Sequence, residues 1–135
     1  GEKMKEITIV AKNELDALAT ITEALGNTGV NIEAVSAYER NDSAVIRLVT
    51  NDANSAMKTL SKIPNINAKE SDIIVLRLAN KPGELGKITR KLANGKINVE
   101  SVYIISKGHD FTEVAVKPSL EDFTKTELIL GVRVH

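Results

Sequence analysis

Hydrophobic and polar positions switch between a strand period and a helix period along the chain, which predicts a regular succession of elements. Residues 5–11 are rich in β-branched side chains between polar ones, which predicts a strand. Leu18, Ile21 and Leu25 then stand at helical spacing before Gly29, which predicts a helix. The pattern goes on to predict strands at residues 30–38 and 44–50, a helix between Asp52 and Pro64, and a short strand at residues 66–69.

The same succession occurs a second time. Residues 80–103 align with residues 13–36 without a gap, at a constant offset of 67 positions. The pairs include Asn80 with Asn13, Leu85 with Leu18, Ile88 with Ile21, Leu92 with Leu25, Asn98 with Asn31 and Val102 with Val35. The second copy is predicted to contain strands at residues 73–79, 97–106, 111–117 and 128–134, and helices at residues 84–94 and 119–124.

The repeat predicts two modules, residues 1–70 and 71–135, each with the order βαββαβ. In a unit of this order both helices cover one face of a four-stranded antiparallel sheet, so the predicted class is α+β and ferredoxin-like. A module of about 65 residues buries little core alone. We therefore expect the two modules to pack side by side, with a shared eight-stranded antiparallel sheet.

The second strand of each copy changes the phase of its apolar positions partway along. One interpretation is a strand buried on both faces. The other is a β-bulge near residues 33–34 and 100–101, which would redirect the side chains at the start of the strand.

Composition narrows the possible functions. The chain has 18 Lys and Arg against 18 Asp and Glu, so its net charge of zero is not that of a nucleic-acid binder. It has no cysteine, which excludes disulfides and thiolate chemistry and is typical of a reducing compartment. No apolar run approaches the roughly 18 residues of a membrane span, and the first residues do not read as a signal peptide. We therefore expect a cytoplasmic protein.

Polar candidates concentrate in residues 80–103. Pro82 presets φ and lacks an N–H, which suits the entrance of a helix. Gly83 has no Cβ, so a small molecule could approach the backbone closely. The N–H groups of the helix's first turn favour a carboxylate. Asn80 and Asn98 each offer two donors and an acceptor, which would suit a zwitterion, although both are also ordinary turn residues.

These residues, with Leu85, Ile88, Leu92 and Ile97, strongly resemble the ACT domain, a small βαββαβ module that binds amino acids and regulates metabolic enzymes. The resemblance covers nearly the whole chain as a tandem pair. It implies a free amino acid bound at a seam between modules and a homodimer as the assembly. It implies that the ligand contacts Asn80, Lys81, Pro82, Gly83, Glu84 and Leu85. Either Asn98 and Val99 or, from the neighbouring module, Asn31 and Ile32 would complete the site.

The two copies are not expected to be equal. Where the second copy has Pro82 and Gly83, the first has Leu15 and Asp16, and a carboxylate there would repel that of the ligand. We expect about one ligand per chain.

Other function classes fit less well. The only histidines are His109, in a turn, and His135, and no catalytic or metal-binding spacing occurs, so neither an enzyme nor a metal or cofactor is expected. An RNA-binding module shares the order βαββαβ, but the four aromatic residues are too scattered for a base-stacking sheet. A regulatory subunit that docks on a metabolic enzyme, like the small subunit of acetolactate synthase, stays an alternative, although that subunit has one ACT module and a different second domain.

Overall fold

The structure, a computed structural model, describes residues 3–12 and 15–132. The chain divides into two compact units between Asp72 and Ile73. Each unit packs helices against an antiparallel sheet, so the expected α+β class is confirmed. No helix in the described part of the chain is long and apolar enough to cross a membrane.

Unit 1 has a four-stranded sheet in the order β2-β3-β1-β4. Its core forms because alternate apolar residues of the central strands face the apolar stripes of both helices. Ile7 and Ile9 lie opposite Leu48 and Ile46, and all four are fully buried. The elements are β1 (Lys5–Lys12), α1 (Ala17–Asn27), β2 (Ala34–Arg40), β3 (Ser43–Thr50), α2 (Ala53–Leu60) and β4 (Ile66–Asp72).

Unit 2 has a three-stranded sheet in the order β5-β7-β6. Ile74 and Leu76 lie opposite Val116 and Val114, and Leu92 packs against this face of the sheet. The elements are β5 (Ile74–Ala79), α3 (Glu84–Asn94), β6 (Val99–Lys107), β7 (Phe111–Pro118), a single 3-10 turn (Leu120–Asp122) and α4 (Phe123–Leu130).

The strand predicted at residues 128–134 is wrong for its first three residues, which belong to α4. Phe123 and Ile129 pack on the core and Thr126 is fully buried, so the buried positions follow a helical period. The helix ends where Gly131 adopts a left-handed conformation with φ 68°. Residues 133–135 lie outside the described part of the chain. The described residues therefore form sheets of four and three strands, and no eight-stranded sheet among them.

The predicted bulge occurs in one copy. In β6 the pairing with β7 shifts register between Val99 and Ser101, at the expected place, and again between Ile104 and Ser106. In β2 the pairing with β3 has no such shift, because the strand begins only at Ala34. The residues expected to start these strands, Val30 and Ile97, are instead buried loop residues that close the cores.

Candidate functional site

The loop between β5 and α3 contains a backbone conformation that favours glycine. Gly83 has φ 90° and ψ −14° and precedes the first helical residue. No neighbouring atom lies within 4 Å of the position that a Cβ would take. The conformation rather than crowding therefore explains glycine here. The same open space leaves the backbone accessible to a small molecule.

The first turn of α3 is held by an ion-pair cluster. The Glu84 carboxylate lies 3.1 Å from Lys87 Nζ and 3.5 Å from Lys81 Nζ. The hydrogen bond from Lys87, followed by the charges of Lys87 and Lys81, holds the pKa of Glu84 below its ordinary value despite partial desolvation. Glu84 thus stays ionised and neutralises part of the positive charge at this end of the helix.

Asn80 ties the β5–α3 loop to the β6–β7 hairpin. Its Nδ2 donates to the carbonyl oxygens of Gly108 at 2.8 Å and His109 at 3.3 Å. Its Oδ1 accepts from Thr112 Oγ1 at 3.3 Å, and its N–H donates to the carbonyl oxygen of Asp110 at 2.8 Å. The donors of Asn80 and one lone pair of its amide oxygen are therefore already used within the unit. This arrangement indicates a residue that positions the loop.

A cleft of about 130 Å³ opens between this loop, the first turn of α3 and the β6–β7 pair. Its floor and walls are apolar and are formed by Leu78, Ala79, Leu85, Ile104 and Val114. Its polar lining consists of Asn80, Lys81, Glu84, Lys107 and Thr112. Four of the expected ligand contacts, Asn80, Lys81, Glu84 and Leu85, thus line one cleft. Pro82 and Gly83 belong to the connecting loop and do not form its walls.

Asn98 and Val99 lie at the opposite end of the same sheet. Val99 pairs with Pro118, whereas Ala79, next to Asn80, pairs with Phe111. These two ends of β7 are roughly 24 Å apart at about 3.4 Å per residue. The Asn98 Nδ2 donates to Ser119 Oγ at 2.7 Å. Asn80 and Asn98 of unit 2 therefore do not flank a single pocket.

The expected contacts of unit 1 are also partly engaged. The carbonyl oxygen of Asn31 accepts from Thr50 Oγ1 at 2.9 Å, and its Nδ2 donates to Glu33 Oε1 at 3.4 Å. Ile32 packs on the core of unit 1. Asn13, which matches Asn80, lies outside the described residues.

Unit 1 has a cleft of its own beside the β1–α1 loop. It has a volume of about 210 Å³ and is lined by Lys12, Asp16 and the connection from α2 to β4. Asp16 precedes α1 without forming a side-chain capping hydrogen bond. The two clefts therefore differ in both charge and position relative to the sheet.

Six residues of the unit 2 cleft were not expected from the sequence, and they include Ile104, Lys107 and Thr112 of the β6–β7 pair. Ile104 pairs with Val114 and Lys107 pairs with Thr112, so all four point to the same face of the sheet. Residues three apart in a regular strand point to opposite faces, and the register shift after Ile104 removes that difference. The change in apolar phase that the sequence shows lies near residues 100–101 and signals the first register shift of β6, not the one after Ile104.

The described residues contain no group of three or more His, Asp or Glu side chains that could hold a metal ion. His109 Nδ1 lies 3.0 Å from Asp110 Oδ1, but both side chains are highly exposed at the tip of the hairpin. A solvated turn accounts for this pair.

No protein-family model matches the chain, and no curated protein matches its sequence. Solved structures do match its fold. A protein from Bacteroides thetaiotaomicron has a TM-score of 0.80 at 24% identity, covering 94% of this chain and 85% of that one. The ligand-free regulatory subunit of aspartate kinase from Thermus thermophilus has a TM-score of 0.70 at 13% identity, covering 97% and 92%. Aspartate kinase from Clostridium acetobutylicum has a TM-score of 0.57 at 17% identity, covering 96% of this chain and 32% of the enzyme.

At these identities the likeness concerns the fold. It supports the ACT-type fold that the sequence resembles, and the structural match extends over nearly the whole chain. The ligand and the role of this chain are separate questions.

Proposed function

We propose that this chain is a cytoplasmic, non-enzymatic regulatory protein that senses a free amino acid and controls amino-acid metabolism. The observation that carries the proposal is the cleft beside the β5–α3 loop, which is lined by four of the residues that the ACT resemblance implies. The cleft combines apolar walls with a few charged and polar groups, which is the usual composition of a small-molecule site.

The ligand's carboxylate is proposed to lie at the first turn of α3. The N–H groups of a first helical turn have no carbonyl partner within the helix and carry partial positive charge. Gly83 adds backbone without a side chain, and Lys81 adds a positive charge beside the cleft. Pro82 has no N–H, so its position in the loop leaves no donor unsatisfied.

A seam between two ACT-type units is proposed to complete the site. Because Asn98 and Val99 lie far from the loop within unit 2, a neighbouring unit would supply the second wall, with Asn31 and Ile32 as its residues. The neighbour is either the other unit of the chain or a unit of a second chain. In either case the expected arrangement is a side-by-side pair of units that share an eight-stranded sheet.

Exposed apolar residues on the second strands support this packing. Val35 on β2 and Val102 on β6 occupy equivalent positions in the repeat and are 50% and 41% exposed. β2 and β6 are edge strands in their sheets, so their outer backbone groups could pair with another strand. A homodimer that covers these edges would bury apolar surface at the same time.

The first loop is proposed to contribute little to binding. Asp16 would place a carboxylate near the proposed position of the ligand's own carboxylate. Two like charges so close together repel each other. The expected stoichiometry is therefore about one amino acid per chain.

The proposed regulatory role of the sensor is based on the proteins of similar fold. The Thermus thermophilus protein is a regulatory subunit and the Clostridium acetobutylicum protein is an allosteric enzyme, and this chain matches the fold of the first over nearly its full length. A free-standing sensor in amino-acid metabolism is our first proposal. A regulatory subunit that docks on a metabolic enzyme is the alternative, and purification of the chain with its native partners would distinguish the two.

Thermal unfolding of the full chain with each of the twenty amino acids at millimolar concentration tests the proposal. A ligand that binds only the folded state raises the unfolding midpoint. We expect one amino acid or a chemically related group to do so. A midpoint that stays constant with all twenty would contradict the proposal.

A further inference from the structure

We propose that the unit 2 cleft is a specificity pocket for a small aliphatic amino acid, with Lys107 as a partner of its carboxylate. This inference rests on the proposed function and assigns the chemical class of the ligand. It depends on the geometry of β6, which the repeat does not share with β2.

The apolar part of the cleft sets the shape of the ligand. Leu85 and Ile104 are 38% and 54% exposed, and they line the cleft together with the buried Val114. None of the described residues that line the cleft is aromatic, so they offer no stacking surface for a flat ring. Branched or straight hydrocarbon chains can contact this lining on several sides.

The volume of the cleft sets the size of the ligand. At about 130 Å³ it is somewhat smaller than an apolar cavity of about 150 Å³, which binds benzene. An aliphatic side chain of three or four carbons fits this space with its α-carbon at the mouth. We expect the flat rings of phenylalanine, tyrosine and tryptophan to fit this space less well than an aliphatic chain.

The charges at the mouth favour a carboxylate. Lys81 and Glu84 form an ion pair at 3.5 Å and so cancel each other's charge, whereas Lys107 has no ion-pair partner in the described part of the chain. The register shift after Ile104 brings Lys107 to the same face as the apolar wall. The Lys107 ammonium group therefore leaves one net positive charge at the mouth of the cleft, next to its apolar walls.

Unit 1 lacks this arrangement and so supplies matched controls. Its β2–β3 pairing has no register shift, so Ala37 and Arg40, which match Ile104 and Lys107 in the repeat, point to opposite faces. Leu18 matches Leu85 in the repeat and has a similar exposure of 43%.

Titration calorimetry with the full chain and a homologous series tests the proposal. The series is glycine, alanine, 2-aminobutyrate, valine, leucine, isoleucine and phenylalanine, with serine and glutamine added as polar members. Affinity should rise by about fourfold for each methylene buried, reach a maximum at the four-carbon side chains, and fall at phenylalanine. Tightest binding of a polar or aromatic amino acid would overturn this inference and leave the proposed function intact. No binding of any amino acid would overturn both.

Two pairs of variants locate the ligand. Leu85→Ala should weaken leucine binding about fifteenfold, because the ligand then buries roughly two methylene groups fewer, and should weaken alanine binding much less. Leu18→Ala should leave both unchanged. Lys107→Gln should weaken leucine binding, while Arg40→Gln should not. Equal effects within either pair would contradict the assignment.

Two leucine analogues test the charge. 4-Methylpentanoate keeps the carboxylate and isoamylamine keeps the amine, so 4-methylpentanoate should compete with leucine and isoamylamine should not. Competition by the amine alone would overturn the role of Lys107. Far-ultraviolet circular dichroism of each variant checks that the fold is retained, and the partial exposure of both leucines makes that the expected result.

Discussion

At the scale of single residues, Gly83 and Gly86 have different reasons to be glycine. Gly83 has φ 90°, a conformation in which a side chain is strained, whereas Gly86 lies within α3 at an ordinary φ. Neither has a neighbouring atom within 4 Å of the position that a Cβ would take. The difference between them is therefore one of backbone conformation alone.

Substitution of these two glycines should change stability in opposite directions. Gly83→Ala should lower the free energy of unfolding by roughly 1–2 kcal/mol because of the left-handed conformation. Gly86→Ala should raise it by up to about 1 kcal/mol because alanine favours a helix interior. Urea denaturation measures both. Destabilisation by both variants to the same extent would show that crowding around the added methyl group, rather than φ, determines the change in stability.

Glu84 should make stability depend on pH. Its pKa in the folded state is lower than its ordinary value of 4.5, so its ion pairs stabilise the fold above that value and this contribution is lost as the pH falls through the folded pKa. Glu84→Gln should therefore be less stable than the wild type near neutral pH, and the two should converge in acid. The effect should be small because the cluster is exposed.

Urea denaturation across the pH range measures this difference. Glu23→Gln is a control, since Glu23 is exposed on α1 and has no ion pair in the described residues. A difference between wild type and Glu84→Gln that persists unchanged in acid would contradict the ion-pair explanation.

At the same scale, Asn80 shows what a sequence cannot reveal. The resemblance to ACT domains predicts a ligand contact, and the residue does line the cleft. Its partners Gly108 and Thr112 are 28 and 32 residues away in the chain. The length of the β6–β7 hairpin brings them together, and no local pattern around Asn80 encodes that length.

At the scale of elements, the Asn80 contacts join the β5–α3 loop to the hairpin. Asn80→Ala should speed amide hydrogen exchange in the hairpin, about tenfold for the Gly108 N–H, because removing hydrogen bonds of about 1 kcal/mol each loosens the turn. Asn98→Ala is the matched control, since its side chain bonds Ser119 at the other end of the sheet. Exchange in the hairpin should stay unchanged in that control. Unchanged exchange in Asn80→Ala would contradict the positioning role.

Helix α3 shows where sequence patterns predict an element well. Its bounds, Glu84–Asn94, agree with prediction because Pro82 and Gly83 mark its start and Gly95 follows its end. The last segment of unit 2 shows the opposite. Residues 128–130 form an apolar run that is typical of a strand, yet burial of Phe123, Thr126 and Ile129 on one face keeps them helical. Tertiary packing outweighs local pattern in a segment this short.

At the scale of the whole molecule, the edge strands carry a prediction about assembly. If β2 and β6 mediate the proposed side-by-side packing, charges on their exposed apolar positions should prevent it. The Val35→Lys and Val102→Lys double variant should be monomeric at about 100 μM, whereas the wild type should be a dimer, because a dimer interface buries apolar area that a lysine would have to desolvate. Light scattering after size-exclusion chromatography measures the mass. Thr124→Lys, on the exposed face of α4, is the control and should remain dimeric.

A monomeric wild type, or a double variant that still dimerises, would contradict a homodimer formed through these edges. The repeat of 67 residues predicts the pairing of equivalent strands, but the partner of each edge depends on contacts between units that a single sequence does not encode. The residues that form the second wall of the ligand site depend on the same contacts between units, so the sequence alone does not identify them either.

Amide hydrogen exchange of the full chain, with and without a mixture of all twenty amino acids at millimolar concentration, tests the proposed sensing role most directly. The mixture makes it unnecessary to identify the ligand beforehand, and the protected amides locate the binding site. We predict slower exchange at residues 80–87, which include the first turn of α3, with residues 15–21 of unit 1 unchanged. Unchanged exchange throughout the chain, or protection confined to residues 15–21, would contradict a sensor built around the β5–α3 loop.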